Sequence, residues 1–215
     1  MKVRGPSELV QVLDGSLAWR KKEISNLHLL INGSLREHER STLRRASIPI
    51  LYSHWEGFTK EAAEAYLELV SRQKLLYSDL KTNFLAIACR STLKEASQTK
   101  NISIRTQLVD FLVYNQDHRA KFSIDGTIDT ESNLNSKVLS NLLLTIGLAE
   151  DRFWDGKHLL IDGSLLKNRN DIVHGAGAQI DQATYDQLHE LVLNILEYVK
   201  TSIENAALSR AYIRS

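Results

Sequence analysis

Residues 134–147, LNSKVLSNLLLTIG, place Leu134, Val138, Leu142 and Ile146 four positions apart and end in glycine. That spacing stacks the apolar groups on one face of an α-helix, where side chains at i and i+4 are neighbours. Gly147 is a natural C-terminal stop. The reading extends in both directions, because two prolines and ten glycines in 215 residues leave long stretches without a breaker. The sequence therefore predicts an all-α protein.

Toward the N-terminus, Leu13, Leu17, Ile24, Leu27 and Ile31 follow steps of three and four and predict a first helix from a Ser7 cap to about Ile31, with Asp14-Gly15-Ser16 as a candidate interruption. A second helix is expected from near Ser34 to about Gln73, kinked or restarted at Pro49. Leu80, Phe84, Ile87 and Ala88 mark a third after a Ser78 cap, and Leu108, Phe111 and Leu112 a shorter one. Residues 115–131, NQDHRAKFSIDGTIDTE, show turn residues and little periodicity, which predicts an irregular insertion with a small hairpin at Asp125-Gly126. Beyond Gly147, Asp162 or Ser164 can cap a helix that stops at Gly175, and Asp181 or Thr184 a last one carrying Leu188, Val192, Ile195 and Val199. HLLINGSL at 28–35 recurs as HLLIDGSL at 158–165; the sequences around them differ, so both read as an apolar run halted by Asn/Asp-Gly-Ser. No boundary or low-complexity segment divides the chain, and residues 1–215 read as one domain.

The balance of charge limits what the chain can bind. Lys and Arg number 27 against 26 Asp and Glu, a net charge of +1, so nucleic-acid binding has to come from a local patch. Cys89 is alone, which excludes an internal disulfide framework and fits a reducing compartment. No signal peptide and no apolar run of about 18 residues is found, so a soluble cytoplasmic protein that does not enter a membrane is expected.

Polar chemistry concentrates in LLKNRNDIVHGAG, residues 165–177. Asn170 and His174 are four apart and share a helix face, and the long stem of Arg169 can join them. Arginine presents a planar, permanently charged fork to phosphate oxygens. Histidine, ordinarily titrating near 6.5, exchanges protons around neutrality. Together such groups can cleave RNA without metal: the histidine takes the proton of a ribose 2′-hydroxyl for in-line attack on the adjacent phosphorus, and the arginine stabilises the charge that grows on the phosphorane oxygens. DNA lacks that nucleophile. On spacing alone a plainer reading is favoured, in which a basic last turn meets the helix dipole and glycine closes the helix.

RNDIVHG resembles the Arg-x4–6-His signature of the HEPN superfamily, and Asn170 matches the polar residue after the arginine. LYSHWEGFTKEAAEAYL at 51–67, preceded by RRASIPI, is similar to the HWEGF-type helix of a bacterial HEPN-like nuclease subgroup. WRKKEI at 19–24 and the run SNL, LLLTIGL and IDGSLLKNRNDIVHG fit the same subgroup, so the resemblance touches most of the chain. It implies a helical bundle of long antiparallel helices, usually a homodimer with both motifs facing one cleft. It further implies a metal-independent endoribonuclease in a toxin–antitoxin or anti-phage setting, with RNA as substrate, no cofactor, and an antitoxin or defence partner. Arg169, Asn170 and His174 take the catalytic positions in that comparison. Inactive members that keep the fold as an interaction or nucleotide-binding scaffold supply the alternative.

Lys167 and Arg152, which shortly precede the motif, are further candidates to contact RNA, together with Glu56 and His54 in SHWEGF. His54 and Glu56 lie on different sides of a helix and cannot act as one tight pair; Lys60 is expected to pair with Glu56. Arg44 and Arg45 are other basic candidates, and REHER at 36–40 reads as a solvated face. Trp154 can stack on a base or pack beside its helix. Among seven histidines, His158 and Asp162 have helical spacing, but no HExxH or cysteine–histidine set accompanies them and no metal site is expected. Neither a GxSxG elbow nor a GxxxxGK[ST] loop is present.

Overall fold

The computed structural model describes residues 2–33, 36–131 and 133–214. Three long helices make the body: α1 (Pro6–Asn32), α2 (Glu37–Ser71) and α8 (Gln182–Leu208). Around them lie α3 (Thr82–Gln98), α4 (Ile102–Tyr114), α5 (Ser136–Thr145), α6 (Lys157–Leu160) and α7 (Lys167–Val173), with a π-helical stretch, Ile161–Leu166, joining α6 to α7. The all-α reading holds.

Side-chain pairs fix how the long helices run. Ser16 meets Glu61 and Glu23 meets His54, so α1 and α2 are antiparallel. Asp14 meets Lys200, Lys21 meets Glu197, and His28 stacks on His189, so α1 and α8 are antiparallel too. By consequence α2 and α8 run parallel, and Arg44 near the start of one reaches Gln182 at the start of the other. Trp55, Phe58, Tyr66, Leu188 and Ile195 on these helices are wholly buried in the core. Burying side chains of this size stabilises by about 1.5–3 kcal/mol each.

Local signals lost to tertiary contacts at several points. Asp14-Gly15-Ser16 stays helical because Ser16 is buried, bonds Glu61 at 2.6 Å and accepts from Arg20, while Asp14 pairs with Lys200 at 2.9 Å. The N-cap of α1 is Gly5 with Pro6 in the first turn, two residues ahead of the expected Ser7. Pro49 lies inside α2 without ending it, since buried Ile48, Leu51 and Tyr52 hold both sides against the core. The expected start at Ser34 lies outside the described residues; α2 begins at Glu37, with Glu39 accepting from the Arg36 N–H at 2.7 Å. Ser78 sits in a 3₁₀ turn, Tyr77–Asp79, and α3 starts at Thr82.

Residues 115–131 form an irregular insertion as expected, but Asp125-Gly126 makes a turn rather than a hairpin. Arg90 on α3 donates to the carbonyls of Asp125 and Gly126, taking acceptors that a hairpin ladder would need. Asp162 and Ser164 do not cap: they lie within the π-helical stretch, and Asp162 instead accepts from the Ser136 N–H and hydroxyl, capping the entry to α5. Asp181 caps α8 by accepting from the Thr184 N–H at 2.7 Å.

The long helices also carry a pH dependence. Burial, reinforced by the adjacent His28 ring at 4.2 Å, holds the His189 pKa below the ordinary histidine value, and burial likewise depresses that of His54. An unfolded chain then binds more protons below about pH 6.5 than the folded one, so stability falls as pH falls through that value. The melting temperature is expected to drop between pH 7 and 5.5, and less steeply in His189→Leu; a flat profile in the wild type contradicts this.

Candidate functional site

The last turn of α7 brings the motif to the surface. His174 is the C-cap, and Gly175 follows at φ +80°, a left-handed conformation that glycine adopts without a side-chain clash. Gly175 N–H donates to the Ile172 carbonyl at 3.1 Å and Ala176 N–H to the Asp171 carbonyl at 2.7 Å. This is the paired-bond helix stop in which the residue before the glycine is left at the end. His174 is exposed there, and Val173 beside it is 55% exposed.

Five residues back into the helix from His174, Arg169 is half-buried and held by three groups. Its Nη1 donates to Asn170 Oδ1 at 2.8 Å and to Asn133 Oδ1 at 3.1 Å, and its guanidinium carbon stands 4.9 Å from the Tyr52 ring centroid. Nε and Nη2 make no hydrogen bond among the described residues. A phosphate oxygen can therefore meet two open donors of an arginine whose orientation is already set. Asn170 orients the arginine and, through its backbone carbonyl, accepts from the His174 N–H at 2.9 Å.

Tyr52 is the centre of this support. It is buried in α2, its ring faces Arg169, and its hydroxyl accepts from the Leu134 N–H at 2.5 Å. Burial, with the nearby Glu56 charge, pushes its pKa up to about 12, so it stays a neutral phenol. Tyr52→Phe leaves the Leu134 N–H unpaired and is expected to cost about 1–3 kcal/mol, read by urea denaturation. A change below a few tenths contradicts the supporting role.

The preceding π-helical stretch has its own cause. Ile161 and Leu165 are both wholly buried, and the wider i→i+5 turn keeps them inward while altering which face α7 presents beyond them. Single π turns inside helices occur often at functional sites. On the other side of the motif, Arg45 donates to the Ala176 carbonyl at 2.8 Å and buried Arg44 to the Ile180 carbonyl at 3.0 Å, so both arginines of α2 clasp the loop that leaves His174.

The remaining candidates fall in different places. Lys167 is exposed at the start of α7, two residues before Arg169. Arg152 is exposed in the 3₁₀ turn Arg152–Trp154, and among the described residues its side chain makes no hydrogen bond or ion pair to the motif. Glu56 is half-buried on α2 near Tyr52, and Lys60 acts on Glu64 rather than closing an ion pair with Glu56. His54 turns toward α1: it is buried, its ring lies edge-on to Trp19 at 5.2 Å, and Nε2 is 2.9 Å from Glu23. Arg40 pairs with Glu37 at 3.0 Å, as a solvated face would. His158 faces Glu150 at 3.3 Å while Asp162 faces Ser136, so those two do not converge. Trp154 is buried against Phe153 and Tyr198.

Tyr52, Asn133 and the clasping role of Arg45 were not identified as site features in the sequence. They lie far along the chain from Arg169, and no local spacing marks them.

A model of the family described as RiboL-PSP-HEPN matches residues 16–205, a span that contains α2, α5, α7, the motif and nearly all of α8. No curated protein and no solved structure matches the chain. No described helix is long and apolar enough to cross a membrane. The chain thus belongs to the RiboL-PSP-HEPN family, a helical HEPN family whose membership points to a nuclease-like or RNA-related function.

Proposed function

We propose that the protein is a metal-independent endoribonuclease. The observation that carries this reading is Arg169, half-buried and fixed by Tyr52, Asn133 and Asn170 with two donors left open, on the same short helix whose end exposes His174. In the reaction His174 accepts the proton of a ribose 2′-hydroxyl. The 2′-oxygen forms a bond to the adjacent phosphorus, the bond to the departing 5′-oxygen breaks, and Arg169 neutralises the charge on the phosphorane oxygens. The departing oxygen takes a proton, which a second His174 from another copy of the chain can supply. The products are a 2′,3′-cyclic phosphate and a 5′-hydroxyl.

A homodimer with a composite cleft, a cytoplasmic location, one domain over residues 1–215 and a toxin–antitoxin or anti-phage role with a controlling partner complete the proposal. Lys167, Arg152 and Glu56 are proposed to border the RNA path, whereas the burial of His54 favours a structural role for it. The test is incubation of the purified protein with RNA in excess chelator, comparing wild type with Arg169→Ala and His174→Ala. Cleavage lost in both, with folding retained, supports the assignment; undiminished cleavage by either overturns it.

A further inference from the structure

A second basic feature lies at the opposite end of α2. Arg4, Arg72, Lys74, Arg119 and Lys121 line one groove of about 670 Å³, with Phe122 on its wall. Arg72 is paired with Glu68 at 2.9 Å. Among the described residues the other four form no ion pair. In a chain whose net charge is only +1, four unpaired cations on one groove are a local concentration of positive potential.

Backbone contacts assemble the groove from three distant segments. The Ala120 N–H donates to the Leu75 carbonyl at 2.8 Å, and Leu76 and Arg119 form an antiparallel bridge. The Tyr77 hydroxyl donates to the Lys121 carbonyl at 2.8 Å and accepts from its N–H at 3.0 Å. Gln73 donates to the Arg4 carbonyl at 3.1 Å. The cations are thus spaced by fixed backbone rather than by chance meeting of free chains. Lys74 also adopts φ +59°, a left-handed conformation in which glycine is the usual residue. Interaction with the C-terminal dipole of α2 explains Arg72 and Lys74 but not Arg4, Arg119 and Lys121.

We propose that this groove is a second RNA-binding site, holding the phosphodiester backbone without reading bases. It rests on the ribonuclease reading for the choice of RNA as the polyanion and for the second anchor of a long strand. From Tyr52 to Arg72 the helix rises twenty residues, about 30 Å. At about 3.4 Å per stacked nucleotide a strand of roughly nine nucleotides covers that distance, so a 12-mer can engage both ends and a 4-mer cannot.

The test is fluorescence anisotropy on the full chain with uncleavable 2′-O-methyl oligonucleotides of 4 and 12 residues. The 12-mer is expected to bind more tightly than the 4-mer. Lys74→Glu/Arg119→Glu/Lys121→Glu is expected to weaken 12-mer binding tenfold or more and to lower the salt slope by about 2, at about 0.7 per phosphate contact on a single strand. Lys74→Gly removes one cation while relieving the backbone, so it is expected to weaken binding severalfold without lowering the melting temperature. Because the probes are not cut, groove binding by a protein that cleaves nothing sinks the nuclease reading and leaves this one standing. Unchanged 12-mer affinity in the triple variant overturns the groove even if the wild type cleaves RNA. Loss confined to vesicles of phosphatidylglycerol, with RNA binding intact, overturns RNA as its ligand.

Discussion

In chelator, His174→Ala is expected to slow RNA cleavage by about 10²–10⁴-fold, the contribution of a positioned general acid or base. Arg169→Ala is expected to slow it by about 10²–10³-fold, the loss seen when one preorganised donor to a developing oxyanion is removed. His174 is exposed at the helix end, so its removal leaves the core intact. Arg169 touches Tyr52, Asn133 and Asn170, and its alanine variant must be compared at matched folding. Asn170→Ala frees the guanidinium without deleting it and should fall between wild type and Arg169→Ala. Initial rates on one labelled oligonucleotide distinguish these cases; an Asn170→Ala rate equal to wild type contradicts the orienting role.

Trp55→Ala is expected to produce the largest loss of stability, about 3–5 kcal/mol, as for other fully buried aromatic residues cut to alanine. Its ring is wholly buried, lies 6.4 Å from that of Trp154, and its Nε1 donates to the Leu134 carbonyl at 3.4 Å. It therefore joins α2 to the entry of α5, the same joint that Tyr52 secures from the Leu134 N–H. For a chain of this length the melting temperature should fall by roughly 10 °C, at about 2–4 °C per kcal/mol. A loss below about 1 kcal/mol would mean that the joint does not depend on this side chain.

Which features could be read from the chain follows from how far apart the cooperating residues lie. The i, i+4 row from Leu134 to Ile146, the Gly175 stop and the Asp181 cap act within a few residues, and all three appear in the structure. The paired octapeptides show the limit. After HLLIN, Gly33 takes extended backbone and α1 ends, whereas HLLIDGSL stays helical through a π turn. In the second copy buried Leu165 and the Asp162 bond to Ser136 supply tertiary support for continuing. Ser16, Arg20 and Glu61 likewise carry α1 through Gly15, against the local signal.

The motif was legible as a helix end carrying polar groups, and its supports were not. Tyr52, Asn133 and Arg45 reach it across the fold, and an isolated tyrosine or asparagine in the sequence does not announce a distant arginine. The basic groove was equally hidden, because its cations come from residues 4, 72, 74, 119 and 121 and no charge block marks any of them.

The direct test of 2′-hydroxyl attack is a pair of oligonucleotides that differ by one oxygen. Mapping gives the bond that the wild type cuts in an all-RNA strand, and the second strand carries a single 2′-deoxy residue immediately 5′ to that bond. Cleavage that leaves a 2′,3′-cyclic phosphate and a 5′-hydroxyl, and that disappears at the deoxy position, is expected. Continued cleavage at the deoxy position, or a 5′-phosphate product, contradicts the mechanism and the roles of His174 and Arg169 with it.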